Sequence, residues 1–250
     1  MSAHVLPPPP ATAVPVAGSG LLFPVRRVYC VGRNYAAHAR EMGFSDREPP
    51  FFFCKPTDAI VPVREGTTTE IPYPARTTDF QHEIELVVAI GRHGSGIPVR
   101  DALDHVFGYA VGLDMTRRDL QIRMREQGRP WEIGKSFDGS ALLGELRPAA
   151  TIGHPERGRI RLDVDGRTRQ DSDIDQLIWN AAETIAHLSG WFELHPGDLI
   201  YTGTPAGVGP VQAGQTMIGA IEGLGELRVH VGVGPQNAAT GQAAVSSERG

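Results

Sequence analysis

The sequence predicts one domain that mixes β-strands with α-helices, and three observations indicate it. The chain has 250 residues, and about 210 of them lie between two ends with little to pack, enough for one well-buried domain and few for two. Apolar runs of strand length at residues 84–90 and 107–113 predict buried strands. Residues 173–191 carry apolar side chains at helical spacing, which predicts an amphipathic helix packed on the core.

Both ends are predicted to be disordered tails. Residues 1–20 contain a run of prolines and a Gly-Ser-Gly segment, and residues 234–250 contain little that could pack. We therefore expect a single domain over residues 21–233.

Composition excludes several classes of protein. The net charge is -5, without a block of basic residues, which argues against a nucleic-acid partner. No apolar stretch is long enough to cross a bilayer, and the start of the chain lacks the order of a signal peptide. Cys30 and Cys54 are too few for a disulfide framework and lack metal-ligand spacing, so we expect both to be small buried residues. The protein is expected to be soluble, intracellular and without a membrane partner.

The most informative segment is the apolar run that contains Glu83 and Glu85. Side chains alternate along a strand, so both acids face one way. The opposite face is filled by Ile84, Leu86, Val88 and Ile90, and Val87 and Ala89 follow the acids on their own face. Buried carboxylates are unfavourable unless they bind a cation or pair with one. The strand alone leaves a metal site and a salt-bridged structural pair equally open.

Other segments place further candidates around this strand. Strands are also predicted at residues 28–31, 51–54, 160–164 and 199–202. Asp114 stands at the end of the 107–113 strand, where it could supply a third oxygen ligand.

His38 and Glu41 lie three residues apart on a helix predicted at residues 35–42. They would share a face, so the carboxylate could orient the imidazole as a general base requires. A solvated helical pair explains the same spacing.

Lysine is rare in this chain, because 22 of the 24 basic residues are arginine. Lys55 and Lys135 could therefore mark places that need a compact ammonium, although chance retention is an alternative.

Two glycine-containing segments do not match nucleotide-binding motifs. Gly134-Lys135-Ser136 resembles the end of a phosphate loop, but Arg129 stands where its first glycine belongs. The loop 203–209 could bring backbone N–H groups to an anionic ligand, but it lacks the dinucleotide spacing.

Five segments together resemble the fumarylacetoacetate hydrolase family across nearly all of residues 25–233. In chain order they are VGRNYAAHAREMG, DFQHEIELVVAIG, GLDMTRRDLQ, GKSFDG and PGDLIYTGTPAGVGP. The chain is similar to the short, single-domain members. This resemblance implies an α+β fold, a mixed β-roll with few helices, and a homodimer in the cytoplasm. It also implies hydrolysis of a carbon–carbon bond in a small keto acid, with fumarylpyruvate as the expected substrate and fumarate and pyruvate as products.

The resemblance also implies roles for individual residues. The metal ligands would be Glu83, Glu85 and Asp114, the same three acids chosen from the strands. Such an oxygen set suits Mg2+ or Mn2+, with Ca2+ as an alternative, and disfavours zinc. The remaining roles are catalytic for His38, Glu41 and Lys135, and substrate-binding for Arg118, Gln121 and Thr204. Arg33, Arg118 and the loop from Gly43 to Pro50 are candidates to bind the distal carboxylate, and one sequence gives no way to choose among them. His82 is out of phase with the acids and is expected to point away from the metal.

Other functions would use the same platform. Oxaloacetate decarboxylation, dienoate isomerisation and hydration would all use a metal-bound enolate or dienolate, so fold and ligands alone do not separate them. The His38–Glu41 pair favours water activation and hence a hydrolase. A non-catalytic binder of dicarboxylates is a further alternative, and purely structural acids would give a protein indifferent to chelators.

Overall fold

The computed structural model of the chain describes residues 4–35 and 48–234. The predicted C-terminal tail lies outside the described residues from residue 235 onward, and so does nearly all of the predicted helix 35–42.

The strands are numbered in chain order. The first nine are β1 (Ala13–Pro15), β2 (Leu22–Pro24), β3 (Arg27–Gly32), β4 (Phe51–Lys55), β5 (Ile60–Pro62), β6 (Thr69–Pro72), β7 (Phe80–His82), β8 (Ile84–Ile90) and β9 (Val106–Asp114). The others are β10 (Thr116–Arg117), β11 (Ala141–Leu143), β12 (Arg147–Pro148), β13 (Arg159–Val164), β14 (Arg167–Asp173), β15 (Asp198–Tyr201), β16 (Gly209–Pro210), β17 (Thr216–Ile221) and β18 (Gly225–Gly232).

The helices of the described residues are short. The α-helices are α1 (Arg118–Glu126), α2 (Glu132–Lys135), α3 (Ala149–Ile152) and α4 (Ala181–Ser189). Single 3-10 segments occupy Thr57–Ala59, Val99–His105 and Ile174–Gln176. No helix among the described residues is long and apolar enough to span a bilayer.

Two large sheets organise the fold. The larger has the order β4-β3-β15-β8-β9-β11-β5, with β12 added beside β9, and the second has the order β14-β13-β17-β18-β6. Most neighbours are antiparallel, whereas β3–β15, β5–β11 and β6–β18 are parallel. Sheets of mixed direction with few helices confirm the predicted α+β class.

The strand that carries the acids lies at the centre of the larger sheet and is buried on both faces. One face joins the main core, through Ile84, Leu86, Val88 and Ile90. Val87 and Ala89 lie on the other face, in a second apolar cluster. The predicted alternation of this strand is therefore confirmed.

The N-terminal tail was predicted to extend too far. β1 pairs with β2, and both Val14 and Val16 are buried in the second apolar cluster. The Pro-rich composition of residues 1–20 masks these two apolar side chains. Val14 lies opposite Phe23 in the hairpin, and Val16 forms an isolated bridge with Leu146.

The helix predicted over residues 173–191 is also wrong in its first half. A 3-10 segment ends at Gln176, and α4 begins only after Asn180, whose side chain accepts a hydrogen bond from Glu183 N. Asn180 and Glu183 form a capping box that fixes this start. The apolar spacing before it reflects packing of an irregular segment on the core.

Candidate active site

Strand pairing brings the three predicted acids together. β8 and β9 are antiparallel, with Ile84 opposite Leu113 and Glu85 opposite Gly112, so Glu83 and Asp114 face each other one step further. The Asp114 N–H donates to the Glu83 carbonyl at 2.8 Å. Glu83, Glu85 and Asp114 are buried, and each offers an oxygen within 4.8 Å of the others.

Both lysines of the chain are buried beside these acids. Lys135, the last residue of α2, donates to Glu83 Oε2 at 2.7 Å and to Asp114 Oδ2 at 2.8 Å. Lys55, the last residue of β4, lies with Nζ 2.8 Å from Asp114 Oδ1, although the two are not aligned as a hydrogen bond. Lys55 Nζ also donates to the carbonyl of Lys135, which ties the two lysines together.

The charges at Glu83 are strongly coupled. Burial by itself would raise the pKa of Glu83, but the Lys135 ammonium and the Arg118 guanidinium outweigh it and hold that pKa at about 2. Burial likewise lowers the pKa of Lys135, but the carboxylates of Asp114 and Glu83 leave it above its ordinary value. Glu83 is therefore ionised and Lys135 is a cation.

Glu85 differs from the other two acids, because it has no cationic partner within ion-pair distance among the described residues. Its Oε2 accepts one hydrogen bond, from Gly203 N at 2.8 Å. Burial, with the nearby charges of Asp114 and Glu83, raises the pKa of Glu85 well above its ordinary value. A divalent cation held by the three carboxylates would supply the missing positive charge, so the oxygen set fits a metal.

The three acids line a pocket together with aromatic and cationic side chains. Phe51, Phe53 and Trp131 line it, and the Phe51 and Trp131 rings meet edge to face at 5.6 Å. Two further arginines, Arg33 and Arg125, line the same pocket.

Arg118 and Gln121 lie three residues apart on α1, and Arg118 links Gln121 to the acid cluster. Arg118 donates to Gln81 Oε1 at 2.8 Å, to Gln121 Oε1 and to Glu83 Oε1. Gly134 lets α2 approach this helix, since a Cβ there would lie 2.7 Å from Gln121 N. The guanidinium is thus largely committed to protein partners, which orients it but reduces what it can offer a ligand.

The glycine-rich loop is fastened to the acid strand. Thr204 donates its hydroxyl hydrogen to the Ile84 carbonyl at 2.7 Å and accepts from Gln170 Nε2 at 2.8 Å. Gly203 has a φ of +99°, a conformation that favours glycine, and it is this residue that points its N–H at Glu85. The anionic group that the loop N–H contacts here is therefore a protein carboxylate.

Comparison with known proteins identifies the chain. The family model described as fumarylacetoacetate (FAA) hydrolase C-terminal matches residues 27–232. The chain belongs to the fumarylacetoacetate hydrolase family.

Three similar proteins illustrate the family. A crystal structure of fumarylpyruvate hydrolase from Pseudomonas aeruginosa, in complex with Mn2+ and pyruvate, is 62% identical with a TM-score of 0.91, covering 92% of this chain and 100% of that one. The fumarylpyruvate hydrolase of a Ralstonia species is 46% identical over 185 residues, which is 74% of this chain and 94% of the relative. The mitochondrial oxaloacetate tautomerase of Arabidopsis thaliana is 40% identical over 205 residues, 82% of this chain and 90% of the relative.

For this member of the family, the structure gathers most of the predicted site residues into one pocket. They are Arg33, Glu83, Glu85, Asp114, Arg118, Gln121, Lys135 and Thr204. His38 and Glu41 lie outside the described residues, so their catalytic roles remain predictions. His82 points away as expected, with Nδ1 3.1 Å from Gln170 Oε1, and burial lowers its pKa.

Two residues that position the site, Lys55 and Gln170, are not among the site residues predicted from the sequence. Lys55 carried a usable signal, because it is one of only two lysines, yet chance explained it equally well. Gln170 carried none, since a glutamine on a polar strand is unremarkable in one sequence. Its fully buried amide also accepts from Ile84 N at 3.1 Å, so it connects β14, the acid strand and the loop. Cys54, expected to be buried, is exposed instead.

Proposed function

We propose that this chain is a metal-dependent hydrolase that cleaves a carbon–carbon bond of an acylpyruvate, with fumarylpyruvate as substrate and fumarate and pyruvate as products. One observation carries the proposal: three buried carboxylates converge with a lysine in a pocket, and one of them has no cationic partner among the residues that the structure describes. The relative that is 62% identical and binds Mn2+ and pyruvate supports it.

Glu83, Glu85 and Asp114 would hold Mg2+ or Mn2+, with Ca2+ as an alternative. The bound ion would supply Lewis-acid polarisation of the keto acid and so make pyruvate a better leaving group.

Lys135 would stabilise negative charge on the reacting substrate. Its ammonium is protonated, is fixed by Glu83 and Asp114, and borders the pocket. A preorganised donor of this kind typically contributes about 3 to 4 kcal/mol to the transition state. It would act as the carbon–carbon bond breaks and pyruvate leaves as its enolate, which then takes up a proton.

His38, oriented by Glu41, would remove a proton from the water that attacks the carbonyl on the fumaryl side. His38→Ala is expected to abolish hydrolysis while metal binding persists. Retained hydrolysis would remove His38 from the mechanism.

The distal carboxylate of the substrate is assigned to Arg33, with Arg125 beside it. Burial lowers the pKa of Arg33, and the charge of Arg125 lowers it further. An anion between Arg33 and Arg125 would relieve this repulsion. We also propose, from the family resemblance, that the enzyme works as a homodimer in the cytoplasm.

The test is a spectrophotometric assay of the purified chain with fumarylpyruvate, following loss of the enol absorbance with Mg2+ or Mn2+ and again after EDTA. Metal-dependent loss, with pyruvate and fumarate as products, is the expected result. If the enol absorbance does not fall in a protein that still binds metal and oxalate, fumarylpyruvate is refuted as the substrate, but the proposed metal site stands.

Oxaloacetate chemistry is the second candidate, because the Arabidopsis relative is an oxaloacetate tautomerase. Tautomerisation moves a proton and leaves the carbon skeleton intact, whereas decarboxylation releases CO2. Oxaloacetate supplied in the same assay would distinguish both from hydrolysis. A dienoate isomerase or hydratase, or a dicarboxylate binder without turnover, would be inactive in both assays.

A further inference from the structure

A second group of potential metal ligands among the described residues lies outside the active-site pocket. It consists of His93, Glu193 and His195, whose candidate ligand atoms lie within 4.8 Å of one another. His93 Nε2 is 2.6 Å from Glu193 Oε1, and His195 Nε2 is 3.7 Å from Glu193 Oε2. The two imidazole rings have their centroids 4.6 Å apart.

The backbone holds these three side chains on one face. Gly94 and Leu194 form an isolated antiparallel bridge and exchange both hydrogen bonds, at 3.0 and 2.8 Å. The next pair along such a bridge, His93 and His195, is a non-hydrogen-bonded pair, in which side chains lie closest. Glu193 is two residues from His195 and therefore faces the same way.

The residues of this bridge are anchored by core packing and hydrogen bonds. Leu194 is fully buried in the main core. The His195 N–H donates to Asp198 Oδ2 at 2.9 Å, and Arg26 Nη1 donates to Asp198 Oδ1 at 3.0 Å. An anchored segment thus presents the cluster, in which His93 and Glu193 are exposed and His195 is half-buried.

We propose that His93, Glu193 and His195 form a second metal site, for one borderline divalent cation such as Zn2+. Two imidazole nitrogens and one carboxylate are ligands that zinc prefers, and water would complete the coordination on the exposed side. Binding needs the short His93–Glu193 contact to open by under about 1 Å, to the spacing of ligands around zinc. The ion would link the two segments that the bridge joins, and it would differ from the oxygen-bound ion of the pocket.

The experiment titrates the full-length, metal-stripped protein with Co2+, a spectroscopic substitute for zinc, in a large excess of Mg2+. Co2+ in a tetrahedral histidine site absorbs visible light much more strongly than Co2+ in an octahedral oxygen site. Wild type is expected to show one equivalent of the strong absorbance. His93→Gln and His195→Gln should each weaken this binding at least about tenfold, since loss of an outer partner alone has that effect. His4→Gln, at an exposed histidine outside the cluster, is the matched control.

Zn2+ gives an independent readout. In excess Mg2+ it should raise the Tm of wild type and of His4→Gln, but not of His93→Gln, because a ligand that binds only the folded state stabilises it. Equal absorbance and equal Tm shifts in all four proteins would overturn the proposal. So would the lack of a strong Co2+ band in wild type, which would leave the cluster as a hydrogen-bonded surface group.

Discussion

The acid cluster of the pocket and the histidine cluster on the surface differ in how their polar side chains are stabilised. Glu83, Glu85 and Asp114 are 6%, 2% and 1% exposed, so their charges must be balanced inside the protein. His93 and Glu193 have side chains 53% and 59% exposed, and water can solvate them. Charged partners within the protein therefore contribute strongly to the unfolding free energy at the acid cluster, and they contribute little to it at the histidine cluster. The predictions below test that difference.

Lys135→Met should have the largest effect. We expect turnover of fumarylpyruvate to fall by about 10²- to 10³-fold with little change in KM, because the lost ammonium acts on charge that develops during reaction. The assay with saturating Mn2+ measures this. Unchanged turnover would remove Lys135 from the mechanism.

Lys135→Met also tests, without substrate, whether Lys135 balances the buried charges of Glu83 and Asp114. Loss of Lys135 leaves Glu83 and Asp114 with one cation fewer, so metal-free Lys135→Met should unfold at a lower temperature than wild type. Excess Mn2+ should recover much of the difference in Tm. An equal deficit with and without metal would contradict the proposed balance.

Glu85→Gln should change metal affinity and the stability of the metal-free protein in opposite directions. Metal affinity is expected to fall by at least about tenfold. The metal-free variant should nevertheless be more stable than wild type, by about 1 kcal/mol or more. Glu85 is buried and has no ion-pair partner in the described part of the chain, so an amide in its place removes the repulsion with Asp114 and Glu83. Calorimetric titration and thermal unfolding measure the two effects. A less stable metal-free variant would show that Glu85 is already compensated.

Gly203→Ala should destabilise the pocket through the backbone. Its φ of +99° strains any side chain, and the added Cβ would lie 2.8 Å from Asn34 Cβ. We expect a loss of about 1–3 kcal/mol in unfolding free energy. Gly20→Ala is the control, because nothing lies within 4 Å of a Cβ there. Equal Tm values for the two variants would contradict the proposed backbone strain at residue 203.

His93→Gln should have the smallest effect. Without added zinc, we expect unfolding free energy to change by less than about 0.5 kcal/mol and hydrolysis to be unchanged, because the hydrogen bond to Glu193 that it removes is exposed. A large loss of stability would mean that the surface cluster is structurally as important as the buried one.

Local sequence patterns were sufficient to predict the acids of the site, because the position of each acid depends on the strand that carries it. The period of two placed Glu83 and Glu85 on one face, and the strand-end position of Asp114 made it the third acid of the cluster. Local patterns failed where packing outweighed them. The apolar spacing at residues 174–178 resembled a helix, and the two valines of the N-terminal hairpin were hidden by prolines.

The residue types that could form the active site can be read from the chain, because alternation, strand ends and the family motifs are local properties. The balance of their charges depends on tertiary packing. Lys55, Lys135 and Arg118 reach Glu83 and Asp114 from separate elements, whereas Glu85 accepts a hydrogen bond from the backbone N–H of Gly203 and has no ion-pair partner within residues 4–35 and 48–234. Such partners come from long-range packing, and the free energy of a buried charge depends on every neighbour that packing brings to it.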